Sequence, residues 1–197
     1  MSPRRAVAVL VPALLAASAI AHGIAGAAPT GVAVVAVGDG RATVATGFAV
    51  SAGRVVTVAH ALEGDVVTVR GADGAARSAS VVRRDDTLDL ALLAVPGLRA
   101  PVRRPGLGTR MLVRRRGGVA AVPAQIVRAI DARVHVAGGS AVLVRPALEV
   151  AAAVDAGDSG APVLRDGRVA GVLFARSHDR AGVAYAVDAA ALARFVE

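Results

Sequence analysis

From Gly31 to Val187 the chain is a succession of short valine-rich runs, interrupted by glycine, aspartate and proline every eight to twelve residues. That rhythm predicts short strands of a barrel or sandwich. In the first half the predicted strands are Val32–Val37, Ala42–Val50, Val55–Val58, Val66–Arg70, Ala76–Arg83 and Leu90–Val95. In the second they are Met111–Arg115, Val119–Val127, Arg133–Val136, Ala141–Val144, Val169–Phe174 and Val183–Val187. Between the halves Pro96, Gly97, Pro101, Pro105, Gly106 and Gly108 crowd together with Arg99, Arg103 and Arg104, the composition of a linker. Asp166-Gly167, entered from Val163-Leu164, is a hairpin signal. Asp188 is placed to cap a last helix in which Leu192, Phe195 and Val196 share one face. The expected fold is all-β: two six-stranded antiparallel β-barrels with a short C-terminal α-helix.

Composition narrows the chemistry. The 197 residues contain no cysteine, which excludes a disulfide framework, a thiolate zinc site and a cysteine nucleophile. All 23 basic residues are arginine and the formal net charge is +8. Arg4 and Arg5 precede an apolar run from Ala6 to Ala21, followed by small-residue patterns at Ala19-Ile20-Ala21 and Ala25-Gly26-Ala27. This is the order of a secretory signal, or of an uncleaved N-terminal membrane anchor, over residues 1–28. The expected location is extracytoplasmic, either secreted or tethered by that segment. The chain beyond residue 28, about 170 residues, is long enough to bury roughly 70% of its unfolded surface as a self-supporting domain. The expected division is a first barrel over 29–98, a linker over 99–110, and a second barrel with the helix over 111–197.

The clusters Arg103-Arg104, Arg110 and Arg114-Arg115-Arg116 could face phosphates. With one Tyr and three Phe in the chain, no stacking residues interleave them, so they read as a solvated face and no nucleic-acid partner is expected. His22, His135 and His178 are too scattered for a metal site, and no metal or cofactor is indicated.

Three motifs carry chemistry. Val55-Val56-Thr57-Val58-Ala59-His60 delivers an imidazole to the end of a strand. Thr87-Leu88-Asp89-Leu90 sets a carboxylate among leucines, where it needs a partner; Asp85 and Asp86 before it read as turn residues. Asp155-Ala156-Gly157-Asp158-Ser159-Gly160-Ala161-Pro162 flanks a serine with glycines, so that the amides of Gly157 and Ser159 can converge on one spot. A serine hydroxyl needs an adjacent base, and the base needs an acceptor that fixes its tautomer.

In these residues and in their His, Asp, Ser order the chain resembles the chymotrypsin/trypsin-like serine proteases. The resemblance covers about Gly31 to Glu197. It is most similar to the bacterial trypsin-like members, the HtrA type and the actinobacterial periplasmic proteases linked to stress, through Leu148–Leu164, Gly171–Ala175 and Gly182–Val187. It implies His60, Asp89 and Ser159 as the catalytic triad and Gly157 and Ser159 as the oxyanion hole. Two departures are notable: Ala161 stands where most members have glycine, and after the helix no PDZ domain or group of membrane helices is expected. The resemblance also places Ala153 at the base of the substrate pocket, with Phe174 and Ala175 along its wall. With no carboxylate at Ala153, it implies an uncharged, apolar P1 residue rather than Lys or Arg. The expected partner is a protein or peptide substrate. The alternative is a catalytically weak, protease-like module that binds an extended peptide against a barrel strand. An esterase fits less well, because the nucleophile-elbow pattern and residue order differ.

Overall fold

The computed structural model describes residues 5–10, 34–38, 43–62, 67–99, 108–115, 118–135 and 142–197. Among the described residues thirteen strands and one α-helix follow one another in chain order. Strand β1 is Arg5–Leu10, and β2 (Val34–Gly38), β3 (Thr43–Ser51), β4 (Arg54–Val58), β5 (Val67–Arg70), β6 (Ala76–Asp85) and β7 (Leu90–Ala94) make up the first half. The second half holds β8 (Thr109–Arg115), β9 (Gly118–His135), β10 (Val142–Ala152), β11 (Pro162–Arg165), β12 (Arg168–Arg176), β13 (Val183–Asp188) and helix α1 (Ala189–Val196).

The first half closes as a six-stranded barrel in the order β2-β3-β4-β7-β6-β5, as expected. All of its pairings are antiparallel, and the β2–β5 pairing shuts it. Its turns arise from residue chemistry. Gly53 takes φ +66° between β3 and β4, a conformation glycine adopts without penalty. Its amide and carbonyl then bond Leu98 and Val95, binding the end of the barrel to that turn.

The second half contributes six strands, and its sheet gains a seventh from β1. The order is β1-β9-β10-β13-β12-β11-β8, with β9 pairing β8 as well. The predicted strands Val119–Val127 and Arg133–Val136 fall on one continuous β9 that ends at His135, and the predicted Ala141–Val144 becomes β10, which starts at Val142 and runs through Arg145-Pro146 to Ala152; Val136 and Ala141 lie outside the described residues. Between the two expected strands the chain keeps the strand's period of two. Ile130 and Ala132 are buried while Ala129 and Arg133 are exposed. Strand β1 runs parallel to β9, with Arg5 opposite Ile130 and Leu10 opposite His135. The alternating Ala-Val-Ala-Val of that segment suits a strand as well as an apolar helix. The remainder of the predicted signal segment, 1–4 and 11–28, lies outside the described residues, as does 100–107 of the predicted linker. Among the described residues no helix is long and apolar enough to cross a membrane.

The Asp166-Gly167 hairpin forms between β11 and β12, both residues having positive φ (47° and 78°), the geometry of a type I′ turn. Asp188 caps α1, its Oδ1 accepting from the Ala191 amide at 2.8 Å. The helix buries Leu192 and Phe195 in a core continuous with the first barrel. Each contributes about 1.5–3 kcal/mol by leaving water. From β6, Arg83 donates to the Phe195 carbonyl at 2.7 Å and lies over the Phe195 ring, so the C-terminal helix fastens onto the first barrel.

Glu149 of β10 is 5% exposed and receives Arg128 at 2.9 Å and Arg180 at 3.2 and 3.1 Å. Arg180 also donates to the Tyr185 hydroxyl, bracing the 177–182 turn. Burial pushes the Glu149 carboxyl up, but the Arg180 and Arg128 hydrogen bonds outweigh it and hold the group below its ordinary 4.5. A folded-state pKa below the unfolded one stabilises the protein above the unfolded value, and that stabilisation is lost as pH falls through the folded value. Glu149→Gln is therefore expected to lower Tm by about 3–6 °C at neutral pH. The difference from wild type should shrink below about pH 4.5, which thermal melts across pH would check.

Candidate active site

Strand β4 is buried along Val55–Val58 and ends in a single 3-10 turn, Ala59–Ala61, that carries His60. The imidazole thus sits two residues beyond the strand, half-buried, with 26% of its side chain exposed. Asp89 closes the turn before β7. Asp85 accepts from the Leu88 amide and Asp86 pairs with Arg84, the turn roles expected of them. Asp89 itself adopts φ +59°, which an aspartate tolerates better than most side chains.

That conformation lets Asp89 hold the histidine at three points. Its carbonyl accepts from the Ala59 amide at 3.1 Å, Oδ1 accepts from the His60 amide at 2.9 Å, and Oδ2 meets His60 Nδ1 at 2.7 Å. A carboxylate oxygen accepts, so Nδ1 is the donor of this bond and Nε2 is the ring nitrogen left for another partner. The same Oδ2 lies 3.3 Å from Arg145 Nη1.

Ser159 belongs to the turn between β10 and β11. The Asp158 carboxylate, 1% exposed, accepts from the Asp155 amide at 2.8 Å and folds the segment on itself. Around the serine the backbone donors divide into two sets. The amides of Asp158, Gly160 and Ala161 are spent on the carbonyls of Asp155, Leu173 and Asp158. Among the described residues, those of Gly157 and Ser159 donate to no carbonyl. Gly157 has φ +90°, the left-handed region in which glycine is the favoured residue.

Of two threonines that sequence reasoning did not single out, one joins this turn to the first barrel and the other braces it there. The Thr46 amide donates to the Ser159 carbonyl at 2.8 Å and its hydroxyl to the Gly157 carbonyl at 2.9 Å. Thr57, three residues before His60, donates to the Thr46 carbonyl at 2.8 Å. Both threonines are fully buried, and a buried hydroxyl without a partner is costly. A threonine in a valine-rich strand carries no signal that its partner lies in the other half of the chain.

The remaining candidate residues are placed unevenly. Ala161 is fully buried against the second core of Met111, Val113, Val163 and Leu173, so its methyl group fills space there. Ala153 is exposed beyond the end of β10, whereas Phe174 and Ala175 of β12 are buried. The Phe174 ring packs 4.8 Å beneath the Arg145 guanidinium and 6.5 Å from the Tyr185 ring. Among the described residues no group of His, Asp and Glu is arranged to hold a metal ion.

Comparison with known proteins identifies the family of this fold. Residues 45–172 match the trypsin-like peptidase domain. The serine protease Rv3671c of Mycobacterium tuberculosis is 34% identical over 159 residues, covering 75% of this chain and 40% of that protein. The chain thus spans less than half the length of that curated relative. The crystal structure of the Rv3671c protease in its active form superposes with a TM-score of 0.73 at 30% identity, covering 93% of each chain. The HtrA-type protease AlgW with a tripeptide shares the fold at a TM-score of 0.65 and 21% identity, over 85% of this chain and 59% of that one. With its dyad, its serine turn and this match over most of its length, the chain belongs to the family of trypsin-like serine peptidases.

Proposed function

We propose that the protein is an exported serine endopeptidase that cleaves peptide bonds through an acyl-enzyme. His60 Nε2 takes the proton of the Ser159 hydroxyl as its oxygen attacks the substrate carbonyl, and Asp89 orients and stabilises the imidazolium. The Gly157 and Ser159 amides receive the tetrahedral oxyanion, each donor worth about 10²–10³ in rate. The proton on His60 then passes to the leaving amine, and water repeats the cycle on the ester. The observation that carries this reading is the pair of unspent amides beside Ser159, in a turn docked through Thr46 onto the barrel that holds His60 and Asp89. The seven-stranded sheet fits a second barrel with one added strand, since β9 pairs with both β10 and β8.

Export is proposed from residues 1–28, acting as a signal or as a membrane tether. The P1 preference is proposed to be uncharged and apolar, because Ala153 supplies no carboxylate to a Lys or Arg side chain. Purified protein is expected to label at Ser159 with a fluorophosphonate and to cleave peptides of a P1-scanning library after small or medium apolar residues. A folded protein that neither labels nor cleaves would sink the protease reading, and strong cleavage after Lys or Arg would overturn the P1 assignment. The alternative, a peptide-binding module of low turnover, predicts peptide binding without labelling.

A further inference from the structure

Arg145 stands on β10 of the second sheet, yet its guanidinium ends in the first barrel, behind the His60–Asp89 pair. Its side chain is 3% exposed. Nη1 ion-pairs with Asp89 Oδ2 at 3.3 Å and donates to the Leu88 carbonyl at 3.3 Å, while Nη2 reaches the Asp86 carbonyl at 3.5 Å. One face of the guanidinium is covered by Phe174, and Ala132 of β9 stands opposite Arg145 in the sheet. Among the described residues its Nε is buried with no partner.

Stability alone does not account for this arrangement. Removing a guanidinium from water costs several kcal/mol, and a buried ion pair is often no better than apolar side chains of the same volume. Burial pushes the Arg145 group down from its ordinary value, while the charge of Asp89, its hydrogen bond and the charge of Asp85 oppose that shift. What the placement achieves is geometric and electrostatic. Asp89 Oδ2 lies between a fixed cation on one side and the imidazole Nδ1 on the other. The cation also spans the two halves, linking the sheet that carries Ser159 to the barrel that carries His60 and Asp89.

We infer that Arg145 is a positioning residue for the proposed triad: it fixes the Asp89 carboxylate against His60 and sets a permanent positive charge beside the His60–Asp89 pair. The inference rests on the triad reading. The other charged groups nearby are Asp85, facing Arg145 from the end of β6, and Asp86, which pairs with Arg84. From β12 and β9 the neighbours are the uncharged Phe174 and Ala132.

The test compares wild type, Arg145→Met and Arg145→Lys in the full chain, with pH profiles of kcat/KM and thermal melts. Losing a charge-assisted contact made to the carboxylate is expected to lower kcat about 10- to 100-fold in the Met variant, with KM nearly unchanged. Its acid limb should move to higher pH, because the imidazolium no longer faces a nearby cation. Arg145→Lys should keep the wild-type acid limb and recover part of the lost kcat. A folded Met variant with wild-type kcat and acid limb would overturn the inference. Where the Met variant fails to melt cooperatively, the Lys variant decides: an acid limb displaced from that of wild type overturns the electrostatic role. Failure of the triad reading is distinguishable, since wild type itself would then neither label nor turn over.

Discussion

Ser159→Ala is expected to abolish peptide hydrolysis and fluorophosphonate labelling, lowering kcat/KM by about 10⁴–10⁶ while the fold survives. The fold should survive because Ser159 serves the structure through its backbone. Its carbonyl accepts the Thr46 amide, and the neighbouring Gly157 carbonyl accepts the Thr46 hydroxyl; neither contact uses the serine side chain. Alanine keeps both and also leaves the two unspent amides in place. Any residual rate over water would then come from oxyanion binding and substrate positioning. Thermal melts within about 1–2 °C of wild type, beside lost turnover, are the expected combination. Turnover retained in the variant would assign the chemistry to another group. Unchanged biological function with no turnover in either protein would favour the peptide-binding module.

Much of the site was legible in the sequence because local chemistry announces it. Gly157 and Gly160 on either side of Ser159 predict a tight turn, and their φ values of +90° and +85° show why glycine stands there. Asp188 and Asp166-Gly167 are equally local signals, and both act where their spacing predicts. Less legible was whatever depends on residues far apart in the chain. Arg145 before Pro146 looks like the end of a strand, yet β10 runs on through both, because the arginine finds its partner 56 positions earlier at Asp89. Thr46 and Thr57 look like ordinary strand threonines until their carbonyl partners are known. Strand β1 shows the opposite case, in which one alternating apolar pattern suits two structures and spacing cannot choose between them. Phe174 is a further instance. Its position in β12 was readable, but the cover over its ring comes from Arg145, on a strand that is not its neighbour in the sheet.

The most damaging single methyl group is expected at Gly160. A Cβ built there would lie 1.9 Å from the Thr46 carbonyl oxygen and 2.8 Å from Thr57 Oγ1, with the Thr46 carbonyl carbon at 3.1 Å. The closest of these atoms is backbone, in a strand held on both sides, so no side-chain rotation relieves the overlap. The φ of +85° adds a conformational cost for any L side chain. Relief requires the serine turn to move away from the first barrel, breaking the hydrogen bonds from the Thr46 amide to the Ser159 carbonyl and from the Thr46 hydroxyl to the Gly157 carbonyl. Gly160→Ala is therefore expected to cost about 4 kcal/mol, a fall in Tm of roughly 10 °C. Activity should fall by at least about 10²-fold even where the variant remains folded, because a displacement near 1 Å is enough to misplace a nucleophile. The adjacent position makes the comparison a sharp one. Ala161 already carries a methyl group, packed into the second core, and Ala161→Gly should cost only about 1 kcal/mol with turnover largely kept. Melting curves and kcat/KM for the two variants side by side would separate close approach at Gly160 from general sensitivity of the turn. Equal effects at both positions would mean that the Thr46 contact does not set the placement of the serine.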